Sequence, residues 1–436
     1  MATSSPTSGP SDATSRVPNA QLRVTVCEPA LARYRLPTWQ ELSRRPGLKF
    51  HLEYASDGHV PNVEPVGIDA HFTPAKVVLK RPPLFWNPGS LATLDRVPAD
   101  AIVFNWNVRV LSLPLAIRKA RRKNCGVVLF GHGFSKNETA LRRGLRNWVG
   151  RKADCVLVYS ESARQDLIKD GFEPQRVFVA PNSVDQTEIQ AARADWLSRP
   201  GDLEAFRREN GLETSEQAGG TRSPVLIFVA RLDPLRRLDM LLEAMPTIGK
   251  AHPGVQLVII GGGSELEPLK QQAARLGLNG EAGGTTGANV RFLGAVYGEP
   301  NIAPWFLSSD LMVFPSHMGL SALHAMGYGV PVITCNNASK HGPEFDVIRD
   351  VFAAASTNPT RERGAADASK APNGATFRDE DTQDLAAKVI DLLNDRARLQ
   401  QLAASAHHTA AVQYSIPKMV DGFEAALRFA AARRGK

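Results

Sequence analysis

The feature that most constrains this chain is an alternation that runs through it twice. Short, apolar, β-branched runs are separated by longer segments with helical periodicity. In the first half, runs at 22–26, 50–54, 76–79, 101–104, 127–130, 155–159 and 177–180 read as strands, with helices at 113–123, 138–149 and 163–169 among them. In the second half the strands fall at 225–230, 255–260, 290–293, 311–314 and 330–334, with helices at 239–245, 265–275 and 320–326. Ser264 and Glu267 read as a capping box opening the helix at 265. Strands that alternate with helices build parallel sheets covered on both faces. Two such series predict an α/β protein of two doubly wound, Rossmann-like domains, and 436 residues are enough for two cores. Ligands of such sheets bind beyond the carboxyl ends of the strands. That directs attention to the loops after Phe130, Ala230, Ile260 and Phe314.

Residues 1–20 are rich in Ser, Thr and Pro, lack the basic-then-apolar order of a signal peptide, and read as a disordered tail. The break between the two series follows Asp185, in a polar, helical stretch; the first domain is assigned to 21–195 and the second to 196–408. Residues 211–223, 279–288 and 356–372 are rich in Gly, Ala and charge, and are expected to be surface loops without chemistry. No apolar run is long enough to cross a bilayer. Cys27, Cys125, Cys155 and Cys335 are far apart and form no CxxC pair, so buried free thiols in a reducing cytoplasm are expected, and no metal site.

The net charge of +8 is unevenly spread. Between 118 and 152 the chain carries Arg118, Lys119, Arg121, Arg122, Lys123, Lys136, Arg142, Arg143, Arg146, Arg151 and Lys152, with Glu138 the only acid. This is either a solvated basic surface or a patch for anionic lipid headgroups or a phosphate-bearing acceptor. No nucleic-acid-binding motif accompanies the charge, so nucleic acid is not an expected partner.

The strand at 225–230 leads into Arg231-Leu232-Asp233-Pro234-Leu235-Arg236-Arg237. Guanidinium groups between a strand end and a helix N-terminus fit phosphate oxygens, although a surface salt-bridge loop has the same composition. Gly261-Gly262-Gly263 allows close approach to a ligand or to a neighbouring segment. Ser316-His317-Met318-Gly319-Leu320 follows the strand at 311–314, and the amides opening the next helix can hold a phosphate. His324, one turn along, either meets a ribose or base or packs half-buried on the helix.

Taken in order, RLDPLRR, IIGGGSEL, VRFLG, DLMVFPS, GLSALHAMGYGVPVI and GPE resemble the nucleotide-binding half of the retaining glycosyltransferases of family 4, which have the GT-B fold. FGHG, YSESARQDL and VAPNSVD carry the resemblance into the first half, and YSIPKMVDGFEAAL, within 409–436, resembles the helix that crosses back to the N-terminal domain. The resemblance implies that Arg231 and Arg236 hold the donor diphosphate, with Arg237 as the alternative to Arg236. Gly262, Gly319 and Leu320 join the donor site through their backbone, and His132 is a cleft histidine near the transferred sugar or the acceptor hydroxyl. Ser316 and His324 stand where the family has the two glutamates of an E-x7-E pattern, and the loop Glu28-Pro29-Ala30-Leu31 lacks the usual glycines. The implied reaction moves a sugar from a nucleoside-diphosphate sugar to an acceptor hydroxyl with retention, in polysaccharide or glycolipid assembly. It needs no cofactor and no metal, and its acceptor is a carbohydrate or a lipid-linked sugar. The implied place is the cytoplasm, peripheral on the membrane's inner face through 118–152. Two alternatives remain: a nucleotide-sugar epimerase on the same fold, and a catalytically weak sugar-nucleotide-binding subunit, which the missing carboxylates favour.

Overall fold

A computed structural model describes residues 21–56, 60–81, 83–134, 138–212, 222–278, 286–354 and 371–435. The tail at 1–20 and most of the expected loops at 211–223, 279–288 and 356–372 lie outside the described residues. The first half contains β1 (Leu22–Glu28), β2 (Leu48–Tyr54), β3 (Ala70–Phe72), β4 (Lys76–Lys80), β5 (Pro83–Trp86), β6 (Ala101–Asn105), β7 (Gly126–Gly131), β8 (Cys155–Val158) and β9 (Val177–Val179). Seven of these form one sheet in the order β3-β2-β1-β6-β7-β8-β9. The second half contains β10 (Val225–Val229), β11 (Val255–Ile260), β12 (Ala288–Gly294), β13 (Leu311–Phe314), β14 (Val332–Cys335) and β15 (Gly374–Phe377), ordered β12-β11-β10-β13-β14-β15. Both sheets are parallel throughout. β7, β11 and β13 are buried at every position, as strands covered by helices on both faces must be. Strand order reverses between β1 and β6 and between β10 and β13, and each reversal opens a crevice at the carboxyl edge.

Several sequence expectations need correction. The run at 76–79 does not join the parallel sheet; β4 pairs antiparallel with β5 in a separate hairpin. Lysines close both its ends and all five residues are exposed, so it has no face to bury. The helix at 239–245 continues through Pro246 to Ala251, because burial of Ile248 and Gly249 outweighs the backbone bond that proline removes. Ser264 forms no capping box: Glu265 is the N-cap, and its amide is satisfied by the carbonyl of Leu232 at 3.2 Å. The division at 195/196 cuts the helix Thr187–Ser198, whose Ile189 and Ala192 are buried in the second core. That helix packs on the helix Glu299–Leu307, with Trp196 Nε1 donating to the Pro300 carbonyl at 3.1 Å.

The helix Ile416–Ala432 returns to the first domain and completes its core. Phe423 meets Trp39 and Phe130 edge-on, with centroids 5.1 Å and 4.6 Å away. The approach is close enough to require glycine. A Cβ on Gly126 would lie 2.3 Å from the Ala430 carbonyl oxygen, and one on Gly422 would lie 2.2 Å from that of Val179. All four cysteines are buried and free. Among the described residues no helix is long and apolar enough to cross a membrane.

Candidate active site

The second-domain crevice is walled by the loops after β10 and β13. Arg231 is exposed at the end of β10 and has no hydrogen-bond or ion-pair partner among the described residues. Arg236 crosses from the β10 loop to the β13 loop, where its guanidinium donates to the His317 carbonyl and lies 5.7 Å from the Phe314 ring centroid. Asp233 is 3.5 Å from its Nε, which makes no hydrogen bond. Arg237 adopts a left-handed conformation, φ 54°, and this turns its guanidinium away, onto Asp239 and Glu380. Burial opposes its charge, but these two carboxylates raise its pKa above the usual arginine value. Of the two arginines left open by the sequence, Arg236 is therefore the one that reaches the crevice.

The three glycines do different things. A Cβ on Gly261 would lie 1.8 Å from the Ala230 carbonyl oxygen, and one on Gly263 would lie 2.1 Å from that of Leu232. Those two let the β11 loop lie directly on the β10 loop. Gly262 accepts from the Leu232 amide at 3.0 Å, and its Cβ position is open space.

After β13, Ser316 is buried with its hydroxyl 3.0 Å from His317 Nδ1, and His317 is held at φ 52°. A non-glycine residue in the left-handed region is locally strained and is tolerated where surrounding structure fixes it. Here Arg236 holds the His317 carbonyl, and His341, which was not a sequence candidate, holds the residue that follows. His341 Nδ1 accepts from the Met318 amide at 3.1 Å, and its Nε2 is 2.9 Å from the Cys335 carbonyl. The amides of Gly319 and Leu320 have no acceptor among the described residues, and they open the helix Ser321–Gly327. His324 lies on that helix with Nε2 2.9 Å from Glu299 Oε2.

The first domain supplies the opposite wall. His132 follows β7, is exposed, and rests its ring on Tyr159 with centroids 4.8 Å apart. Beneath it Arg35 is buried and donates to the Tyr159 hydroxyl at 2.7 Å. Glu28, at the end of β1, is also buried; desolvation pushes its carboxyl up to about 7 despite the attraction of Arg35. Neither Glu28 nor Arg35 was a sequence candidate, because a lone charged residue at a strand end carries no pattern. A cavity of 340 Å³ opens at the carboxyl ends of β1 and β6, lined by Pro29, Ala55, Phe85, Asn105, Arg109 and Leu113 among others. The two walls touch: Asn182 Nδ2 donates to Glu344 Oε1, and the Ser162 amide donates to Asp346 Oδ2 at 2.8 Å.

Two facing α/β domains with an arginine-lined crevice at the strand reversal define a GT-B architecture. The chain superposes on Anabaena HepE, solved in complex with UDP, with a TM-score of 0.60, 16% identity, and coverage of 92% of this chain and 98% of that one. A sequence model described as Glycosyl transferases group 1 matches residues 223–395, and one described as Glycosyltransferase Family 4 matches residues 44–188. Both halves of the chain thus match glycosyltransferase models, the first half that of family 4. It is 35% identical over 168 residues to the D-inositol 3-phosphate glycosyltransferase of Segniliparus rotundus, covering 37% of this chain and 32% of that protein. It is 29% identical over 284 residues to the enzyme of the same name from Nocardia farcinica, covering 63% and 53%. The chain thus spans about a third to a half of the length of these curated relatives.

Proposed function

We propose that the protein transfers a sugar from a nucleoside-diphosphate sugar to an acceptor hydroxyl with retention at the anomeric carbon. The observation that carries this is the placement of Arg231 and Arg236 at the carboxyl edge of β10, beside the free amides of Gly319 and Leu320. The bond between the anomeric carbon and the diphosphate oxygen breaks as the acceptor oxygen bonds the same face. The acceptor's proton passes to the departing diphosphate. Charge grows on that diphosphate, and fixed guanidinium and amide donors in a crevice stabilise it without reorganising. His132 orients the sugar or the acceptor, which enters from the cavity beside Asn105 and Arg109. Gly262 leaves open room beside the donor, and the Ser316 hydroxyl serves the sugar. The names of the curated relatives support transfer over epimerisation.

The test is turnover of a panel of nucleotide sugars with product analysis by NMR. Release of nucleoside diphosphate together with a new α- or β-linkage matching the donor supports the reading. Conversion of the donor to an epimer without an acceptor overturns it, and binding without turnover assigns the weaker, binding-subunit role.

We also propose that the protein works on the cytoplasmic face of an anionic membrane, which it touches without spanning. Leu141, Leu145 and Trp148 form a stripe on the helix Ala140–Gly150 and are 84%, 48% and 53% exposed. Beside them Arg118, Arg121, Arg122, Lys152 and Arg434 line a groove of 590 Å³, and Lys152 Nζ sits 4.0 Å from the Trp148 ring centroid. Not all of the basic span takes part: Lys119 and Lys123 pair with Asp95, and Arg143 and Arg146 pair with Asp170. Arg434 is also paired, with Asp154, which leaves Arg118, Arg121 and Arg122 without an ion-pair partner among the described residues; apolar side chains flanked by such arginines suit the interface of a bilayer carrying negative lipid. Vesicles of phosphatidylcholine with and without phosphatidylglycerol test this. Binding only to the anionic vesicles, weakened by salt and by Trp148→Ser, supports it; binding indifferent to lipid charge and salt rejects it.

A further inference from the structure

We infer that Glu299 is the residue that binds the donor ribose, and that His324 and Tyr328 hold its carboxylate in place. The inference rests on the donor reading above. Glu299 opens the helix that follows β12, and His324 lies in the first turns of the helix that follows β13, so both stand at the carboxyl edge of the second sheet. The segment leading to Glu299 is tied to the glycine loop by the bond from the Gly261 amide to the Gly294 carbonyl, 2.8 Å.

The two oxygens of Glu299 are used differently. Oε2 accepts from His324 Nε2 at 2.9 Å and from the Tyr328 hydroxyl at 2.5 Å. Oε1 has no partner among the described residues. One oxygen is anchored and the other is free to accept from a hydroxyl. Burial pushes the carboxyl's pKa up, but the His324 and Tyr328 bonds outweigh it and hold it below the usual glutamate value. An ionised carboxylate only accepts, so His324 must carry its proton on Nε2. That nitrogen is then spent on Glu299 and cannot serve a ligand. His324 packs edge-on against Phe306 at 5.0 Å, and Tyr328 stacks on the same ring at 5.1 Å, which fixes both donors.

The chemistry fits a ribose. Its vicinal hydroxyls donate to a carboxylate, and an acidic side chain takes this role, from a different strand, in dinucleotide-binding α/β folds. The carboxylate absent from position 324 thus reappears on the neighbouring helix, one hydrogen bond away. His324 is a positioning residue.

Calorimetric titration of UDP, 2′-deoxy-UDP and 3′-deoxy-UDP into the wild type, Glu299→Gln and His324→Gln tests the assignment. The wild type should bind UDP about tenfold more tightly than at least one deoxy form, the size expected for one hydrogen bond to a charged group. Glu299→Gln should weaken UDP by a similar factor and leave that deoxy form almost unchanged, so that discrimination disappears. His324→Gln, which keeps a donor for Oε2, should fall between. An equal loss for all three ligands in Glu299→Gln, or a wild type that does not discriminate, overturns the inference and leaves the pair as a helix-to-helix tie. If UDP, GDP and ADP all fail to bind the wild type, the donor reading falls and takes this assignment with it.

Discussion

Asn182, just past the last strand of the first domain, donates from Nδ2 to Oε1 of Glu344, in the loop beyond β14 of the second. Both residues are buried. Desolvation raises the pKa of Glu344, and the bond from Asn182 and the charge of Arg35 partly oppose that rise. The link sits at the floor of the cleft, where a small change alters how the walls meet. Asn182→Ala leaves a buried carboxyl short of a partner, at a cost of about 1–3 kcal/mol. Solution scattering should show a shift toward a more open particle, with a raised acceptor KM. Scattering curves identical to the wild type would show that the contact does not hold the domains together.

Arg231 and Arg236 differ in what else they do, and their variants should differ accordingly. Arg231 is exposed and unpaired, so Arg231→Ala should change stability by less than about 0.5 kcal/mol. Its kcat should fall about 10²–10³-fold, as for other fixed donors to developing charge. Arg236→Ala should show a similar kcat loss and a lower Tm, because the bond to the His317 carbonyl goes with it. Arg237→Ala should lower Tm through its pairs with Asp239 and Glu380 and spare kcat. Turnover near wild type in both Arg231→Ala and Arg236→Ala would remove this loop from the chemistry.

Glu28 makes stability depend on pH. Its carboxyl titrates at about 7 in the folded chain, against a model-peptide value of 4.5. The folded state therefore binds the proton more tightly, and stability falls as pH rises from 4.5 through about 7. The difference corresponds to about 3 kcal/mol across that window. Glu28→Gln cannot ionise and should abolish this decline. Its Tm should match the wild type near pH 4.5 and exceed it at pH 8. The same Tm difference at both pH values would rule out a buried, titrating Glu28.

Because arginine is assigned the stabilisation of the diphosphate, turnover should continue in EDTA. Steady-state rates before and after chelation measure this. Activity lost in EDTA and restored by magnesium or manganese would transfer that role to a cation.

The sheet strands were legible because burial on both faces leaves a continuous apolar run; β11 and β13 lie where the runs at 255–260 and 311–314 put them. β3, β5 and β15 were not, since they carry His, Pro or Gly in place of a continuous β-branched run. In the candidate site, Arg231 and Arg236 were singled out by their place after a strand end, and His132 by the family resemblance; the three lie at the ends of β10 and β7. Glu28, Arg35, Glu299, His341 and Glu344 were not sequence candidates. Their significance comes from partners between 6 and more than a hundred residues away in sequence, as with His341 and Cys335 or Tyr159 and Arg35. Arg237 looked equivalent to Arg236 in sequence, and only its left-handed backbone separates them.

The helix Ile416–Ala432 makes the first domain dependent on a segment translated after the whole second domain. Thr38 and Arg35 touch Met419 across 381 and 384 residues. On the ribosome, β1 to β9 emerge early, yet the face of the sheet that takes Phe423 and Leu427 stays uncovered until the whole second domain has been made. The second domain can close its own core in the meantime, since domains fold as units during synthesis. The domain born first is thus finished after the second, and until that helix emerges it offers a chaperone an apolar sheet face.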